Sequence, residues 1–350
     1  MRILVIRRDN IGDLVCTTPL LATLRAAFPG AWIAVLANSY NAAVLEGNPD
    51  VSEVLTYTKL KHVKTALALL PALARRLTGL FRLRRQKLDV VILATTDFSA
   101  RTARLAALLA PGEIVGYSDG SPRAALLHRS LPLSDGEPRH EVERVHALAA
   151  LVGAEGRAIP PVRVHASAAQ VQKARARLPL PATAARTVAI HLSARRAAQQ
   201  WPASSFSRLI ELLLEVPGLS IVVLWSPGPA SHPRHPGDDA KAAEVLREFR
   251  GCDRVVAYPT DHLEQLIGML GACDIVVCAD GGTSHLAAAL GKPVVCLFGD
   301  SDVRRWRPWR VPQRVLQPPT RKVSDIPPED VAAALKSLAE EQWGTLAPRP

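Results

Sequence analysis

The chain reads as α/β, two doubly wound parallel-sheet domains in tandem. Three observations predict this. Short unbroken apolar runs of four or five residues alternate with helix-period stretches along most of the sequence. The alternation lapses once, across a proline-bearing stretch from Ala158 to Arg186, and then restarts. A length of 350 residues with 48% hydrophobic content suits two ordinary cores better than one.

The elements follow in order. Ile3–Ile6 is apolar throughout, as a strand buried on both faces should be. After a loop over Arg7–Gly12, Leu14–Phe28 predicts one helix, stopped by Pro29-Gly30. Trp32–Leu36, Val90–Ala94 and Ile114–Tyr117 predict further strands. The second half predicts strands at Val188–His191, Ile221–Trp225, Ile275–Ala279 and Val294–Phe298. Helices are expected at Phe206–Glu215, Ala240–Phe249, Leu263–Leu270 and Ser284–Leu290, with a terminal helix over Glu329–Glu341. The expected domains are 1–165, a linker over 166–186, a second domain over 187–322, and a C-terminal helix and tail over 323–350.

Composition narrows the partners. Lys and Arg number 43 against 32 Asp and Glu, a formal net charge of +11. Nine of those cations lie between Glu53 and Asp89, where no acid occurs: Lys59, Lys61, Lys64, Arg75, Arg76, Arg82, Arg84, Arg85 and Lys87. This segment, 59–87, reads either as a solvated helix face or as a surface for an anionic partner. No nucleic-acid signature accompanies it, and aromatics are only 5% of the chain, too few for base stacking. The five cysteines show no metal-ligand spacing and read as buried thiols of a reducing compartment. The apolar run Thr65–Ala74 is interrupted by Pro71 and is half the roughly 20 residues a membrane span requires. No signal-peptide pattern precedes the first strand, so a soluble, cytoplasmic protein is expected.

Ligands of open α/β sheets bind outside the carboxyl ends of the strands, in this case in a cleft expected between the two domains. Two strand-to-helix loops there carry candidate chemistry. Asp280-Gly281-Gly282-Thr283-Ser284-His285 offers glycines, hydroxyls, an imidazole and free helix amides, a set that suits phosphate. It reads equally as a glycine turn with an ordinary Ser/Thr cap. It is neither Gly-x-Gly-x-x-Gly nor a Walker loop, which disfavours dinucleotide and P-loop sites. Arg7-Arg-Asp-Asn10-Ile-Gly12-Asp13 ends in a carboxylate at a helix start. Asp13 reads either as an N-terminal cap or as a general base kept ionised by the helix.

Four stretches together resemble glycosyltransferase family 9, the heptosyltransferase family of lipopolysaccharide core assembly. They are Arg2-Ile-Leu-Val-Ile-Arg through Gly12-Asp13-Leu-Val-Cys-Thr-Thr-Pro19; Asp89-Val-Val-Ile-Leu with Asp97 and Arg101; His191 through Gln200-Trp201-Pro202; and Asp280-Gly-Gly-Thr-Ser-His285-Leu-Ala-Ala-Ala-Leu-Gly-Lys-Pro293, continuing to Phe298-Gly299 and Pro308. The resemblance implies a GT-B fold, two Rossmann-like domains facing across a cleft. It implies an inverting transfer from a nucleotide-activated heptose, usually ADP-heptose. It puts Asp13 at the catalytic base and the Asp280–His285 loop at the donor diphosphate. Asn10, Gly12, Asp97 and Arg101 would fall on the acceptor side, with Lys59, Lys61 and Lys64.

Two departures stand out. The family's Lys, two residues before the Trp-Pro pair, is Gln199 here, and Gly281 replaces a Ser or Thr. Arg195 or Arg196 is expected to supply the missing cation to the donor phosphates, and Thr283 the missing hydroxyl.

No cofactor or obligatory metal is expected, since helix amides and an Arg can stabilise a departing diphosphate. The expected partners are a sugar nucleotide, an anionic glycolipid acceptor and the inner-membrane surface, reached peripherally through segment 59–87. Two alternatives stay open: another sugar nucleotide or surface-glycan acceptor on the same fold, and a non-catalytic sugar-nucleotide binder.

Overall fold

The computed structural model describes residues 1–57, 78–133, 138–156, 158–178, 186–231 and 236–344. The chain divides into two compact units, Met1–Arg163 and Val164–Pro350.

In the first unit the described strands are β1 (Arg2–Ile6), β2 (Trp32–Asn38), β3 (Glu53–Tyr57), β4 (Val90–Leu93), β5 (Glu113–Ser118) and β6 (Arg129–Pro132). They pair in parallel in the order β3-β2-β1-β4-β5-β6. Ile3, Leu4, Val5 and Ile6 of β1 are buried on both faces because helices cover both sides of the sheet. The order reverses between β1 and β4, so the crevice for a ligand opens beyond Ile6 and Leu93.

Where one helix is expected over Leu14–Phe28, two form: α1 (Ile11–Val15) and α2 (Thr18–Ala27). Pro19 is the cause. It has no N–H to offer the Val15 carbonyl, and its ring crowds that oxygen. The Thr18 hydroxyl donates to it instead, at 2.8 Å. The short α1 is thus set apart from α2, with Asp13 in its only turn. Helices α3 (Ala100–Leu108) and α4 (Glu141–Ala147) complete the elements that bear on the site, and residues 78–85 are also helical.

The second unit repeats the plan. Its described strands are β7 (Arg186–His191), β8 (Leu219–Trp225), β9 (Val255–Pro259), β10 (Ile275–Ala279), β11 (Val294–Leu297) and β12 (Gln313–Leu316). All pair in parallel, in the order β12-β11-β10-β7-β8-β9. The reversal here lies between β7 and β10. Its helices are α5 (Ala168–Arg175), α6 (Ala203–Leu214), α7 (Asp239–Arg247), α8 (Leu263–Ala272), α9 (Gly282–Ala289), α10 (Val303–Trp306) and α11 (Pro328–Trp343).

Helix α5 lies in the stretch read as a linker. It packs on α8 so closely that a Cβ on Gly268 would come within 2.9 Å of the Gln170 carbonyl oxygen. Helix α11 joins the second core, where Val331, Leu335 and Leu338 are fully buried with Phe206, Leu209 and Leu213 of α6. Among the described residues, no helix is long and apolar enough to cross a membrane.

Candidate active site

In the first unit the β1/β4 switch point holds a buried ion cluster. Arg7, the residue after β1, is 2% exposed and has three carboxylates around it. Its Nη2 donates to Asp13 Oδ1 at 2.5 Å and to Glu141 Oε1 at 2.9 Å. Its Nε lies 3.1 Å from Asp9 Oδ2, and its Nη1 donates to the Ala94 carbonyl beyond β4. The other Asp13 oxygen accepts from the Asn10 backbone N–H and from Asn10 Nδ2, both at 2.9 Å. The Thr96 hydroxyl lies 3.1 Å from each oxygen of Glu141, which is fully buried.

These contacts set the charges. Burial alone would raise the Asp13 carboxyl, but the Arg7 charge and the Asn10 and Arg7 hydrogen bonds outweigh it and hold it below its ordinary value. Burial raises Asp9; Arg7 pulls it back, and Asp13 and Asp97 push it up again. Burial works against the Arg7 charge, yet Asp13, Glu141 and Asp9 together keep its pKa above the ordinary value. Asp13 is therefore a carboxylate whose two oxygens are both held, at the carboxyl edge of the sheet.

The other residues expected on this side divide. Asn10 is spent on Asp13, and Gly12 is buried inside α1. Asp97 is exposed in the loop after β4 and acts electrostatically on Asp9. Arg101 is exposed in the first turn of α3. Lys59, Lys61 and Lys64, with Arg75 and Arg76, lie outside the described residues. From the same segment, Arg82 pairs with Glu53 at 2.7 Å.

In the second unit the β7/β10 switch point gathers Asp280, Gln199 and Ser301, with Arg196 beside them. Asp280 follows β10 and is 8% exposed. Its Oδ2 accepts from Gln199 Nε2 at 2.9 Å, and the same nitrogen reaches Ser301 Oγ at 2.9 Å. Arg196 Nη1 donates to Ser301 Oγ at 3.2 Å, and its Nη2 pairs with Asp300. Gly299 permits this meeting of loops, since a Cβ there would overlap the Ala198 carbonyl. Burial raises Asp280, opposed by the Ser301 hydrogen bond and the Arg196 charge.

Helix α9 opens with Gly282, Thr283, Ser284 and His285. A Cβ on Gly281 would meet nothing within 4 Å, so open space adjoins the loop. Thr283 Oγ1 lies 3.4 Å from Nδ1 of His191, whose pKa burial lowers to about 4, so that imidazole is neutral. Ser284 Oγ donates to the Gly281 carbonyl at 2.8 Å. The His285 ring meets Trp306 edge-on at 6.0 Å. Arg195 is exposed. Among the described residues, no three His, Cys, Asp or Glu side chains come together as metal ligands could.

Several of these groups escape sequence reasoning. Glu141 is far from Asp13 in the chain and lies in no motif. Arg7 belongs to the loop motif, but nothing in the motif says that it bridges two carboxylates. A second acid-free cationic run is legible once sought: Arg304, Arg305, Arg307, Arg310, Arg314, Arg321 and Lys322 lie between Asp302 and Asp325.

Residues 78–327 match the family model described as glycosyltransferase family 9 (heptosyltransferase). Lipopolysaccharide heptosyltransferase 3 of Escherichia coli (strain K12) is 25% identical over 361 residues, covering 94% of this chain and 96% of that protein. The solved structure of E. coli ADP-heptose lipopolysaccharide heptosyltransferase II superposes with a TM-score of 0.80 at 22% identity, covering 98% and 99% of the two chains. An E. coli heptosyltransferase solved with ADP superposes with a TM-score of 0.75 at 23% identity, covering 97% and 100%. The two parallel six-stranded sheets are thus those of the GT-B fold.

Proposed function

Because this chain belongs to glycosyltransferase family 9, the heptosyltransferases, we propose that it transfers heptose from ADP-heptose to a lipopolysaccharide core acceptor with inversion. The observation that carries this reading is the ionised Asp13, held at the β1/β4 switch point by Arg7 and Asn10. A carboxylate held this firmly is a weak base, suited to a transfer in which the proton moves late. The acceptor hydroxyl attacks the anomeric carbon and gives its proton to Asp13. The bond from that carbon to the phosphate oxygen breaks, and ADP leaves with the electron pair. The amides opening α9, His285 and a nearby Arg are the groups that would stabilise the leaving diphosphate. An E. coli relative solved with ADP supports the choice of nucleotide. The test is ADP release from ADP-heptose, with and without heptose-deficient lipopolysaccharide, against UDP-, GDP- and CMP-sugars. Release that follows a different nucleotide, or that ignores the acceptor, overturns the reading.

Two site predictions follow from this chemistry. His285→Ala should weaken ADP binding about tenfold by calorimetry, since a buried hydrogen-bonding partner of a charged group is worth that much. Unchanged ADP affinity with lost turnover would instead put the loop on the acceptor side. The second concerns Gln199, which gives Asp280 a neutral donor where the family motif has an ammonium. Arg196, on Ser301 and Asp300 in the same cluster, is the cation at hand. Replacing Arg195 and Arg196 together by Gln should slow transfer about tenfold, and Gln199→Lys in that background should recover part of it. Normal transfer by the double variant leaves stabilisation to the amides and His285. The specific observation favouring the other reading, a non-catalytic binder, is also Gln199. That reading stands if the natural chain shows no transfer and Gln199→Lys alone creates it.

A further inference from the structure

Glu141 is the first residue of α4, and it is 0% exposed. An acid in the first turn of a helix ordinarily faces water and favours the helix through the dipole. In α4 the cap is made by other residues. Glu143 Oε2 accepts from the His140 backbone N–H at 2.8 Å, and His140 Nδ1 accepts from the Val142 N–H at 3.1 Å. Glu141 instead turns inward, onto Arg7 and the Thr96 hydroxyl. A buried ion pair is a poor source of stability, because a well-packed apolar pair of the same volume is often as stable or more so. Its place beside the β1/β4 switch point therefore calls for a reason in the chemistry of the site.

The geometry supplies one. The Arg7 Nε faces the Asp9 carboxylate, and Nη1 donates to the Ala94 carbonyl. Nη2 alone serves both Asp13, at 2.5 Å, and Glu141, at 2.9 Å. The two-pronged grip that a guanidinium often gives a carboxylate is thus denied to Asp13. Glu141 also takes a share of the Arg7 charge that would otherwise act on Asp13. The groups around Asp13 are then Arg7 from the end of β1, Asp9 and Asn10 from its own loop, and Glu141 from α4, on the same guanidinium nitrogen. Asp97 acts on Asp9 from the loop after β4.

We propose that Glu141 is a positioning residue for the transfer: by sharing Arg7 Nη2 it limits the hold of the guanidinium on Asp13, and so keeps that carboxylate basic enough, and turned correctly, to take the acceptor proton. This rests on the reading of Asp13 as the base. Glu141 acts only through Arg7 and Asp13 and touches neither substrate.

The test uses the full chain with ADP-heptose and heptose-deficient lipopolysaccharide. It reads the single-turnover rate constant, which counts only folded, loaded protein, and both KM values. Glu141→Gln keeps an oxygen for Arg7 and removes the charge. Its rate should fall about threefold to tenfold, with both KM values within about twofold of wild type. Added to Asp13→Asn, the same substitution should change the residual rate by less than about twofold, since the group it acts through is gone. Thr96→Val, which removes the hydroxyl lying on both Glu141 oxygens, is the second probe should Glu141→Gln fail to fold. It should show the same pattern at about threefold. A scaffolding role would slow both backgrounds alike, and that result overturns the proposal. So does a wild-type rate in Glu141→Gln, or a loss confined to either KM. If the wild type releases no ADP, or if Asp13→Asn transfers normally, the base reading falls and the role of Glu141 falls with it. If Asp13→Asn is slow and Glu141→Gln is not, only the role of Glu141 falls.

Discussion

Asp13→Asn is expected to lower turnover by roughly 10²–10⁴-fold, the usual worth of a positioned general base. The substitution changes almost no volume, so the loss reads chemistry rather than packing. It also has a structural signature. The Asp13 carboxylate accepts from Arg7 on one oxygen and from two Asn10 nitrogens on the other. An amide can turn only one oxygen to these donors, and its NH₂ must then face either the guanidinium or the two Asn10 groups. One donor is left facing a donor, at a stability cost of about 1–3 kcal/mol. ADP affinity, which belongs to the second unit in this reading, should barely move. The measurements are single-turnover transfer, ADP calorimetry and a thermal melt on one preparation. A variant that turns over near normally yet melts earlier would make Asp13 a helix-start cap and nothing more.

Arg7→Met is expected to cost about 3–5 kcal/mol of stability, as breaking a buried ion pair from one side usually does. It leaves Asp9, Asp13 and Glu141 close together with no cation between them. The pH dependence gives the sharper test. In the wild type the Asp13 pKa is lowered by folding, so its stabilisation is present above the unfolded carboxylate value and is lost as pH falls through the folded one. Asp9, raised by folding, contributes in the opposite sense. In Arg7→Met the crowded carboxylates repel one another, and at least one holds its proton more tightly folded than unfolded. Such a group stabilises at low pH and loses that contribution as pH rises through its folded value. The gap between variant and wild type should therefore widen from about pH 4 to about pH 7 in denaturant unfolding. A gap that is the same at both ends would mean that the cluster's charge contributes nothing and Arg7 acts through packing alone.

Particular elements show how far the sequence could be read. The central strands β1, β7 and β10 announce themselves because burial on both faces demands unbroken apolar runs. The edge strands β3, β6, β9 and β12 do not. Glu53-Val-Leu-Thr-Tyr57 and Gln313-Arg-Val-Leu316 carry polar residues, since an edge strand is only partly covered. The split between α1 and α2 was within reach of sequence reasoning, because Pro19 marks it, but the apolar period runs straight through it.

Chemistry divides the same way. As candidates, Asp13 and the Asp280–His285 loop are legible because each lies in the segment that follows the carboxyl end of a strand, where ligands of open α/β sheets generally bind. Gln199 is legible as a departure, though not its bond to Asp280. Glu141 is invisible: it sits in a polar stretch, His140-Glu-Val-Glu-Arg144, that reads as an ordinary helix start with acids in its first turn.

By itself, then, the sequence determined the fold class, the two-unit repetition and the strand-end loops that hold the candidate chemistry. Those depend on hydrophobic period and on turn residues, which are local. Only the tertiary structure decided which charges meet. It brought Glu141 onto Arg7, tied Arg7 to Asp13, and set Gln199 against Asp280. The physical reason is that a charge acts through space. Its partners lie in loops and helix starts at the strand ends, which become neighbours only when the sheet assembles, and their separation along the chain carries no trace of that distance.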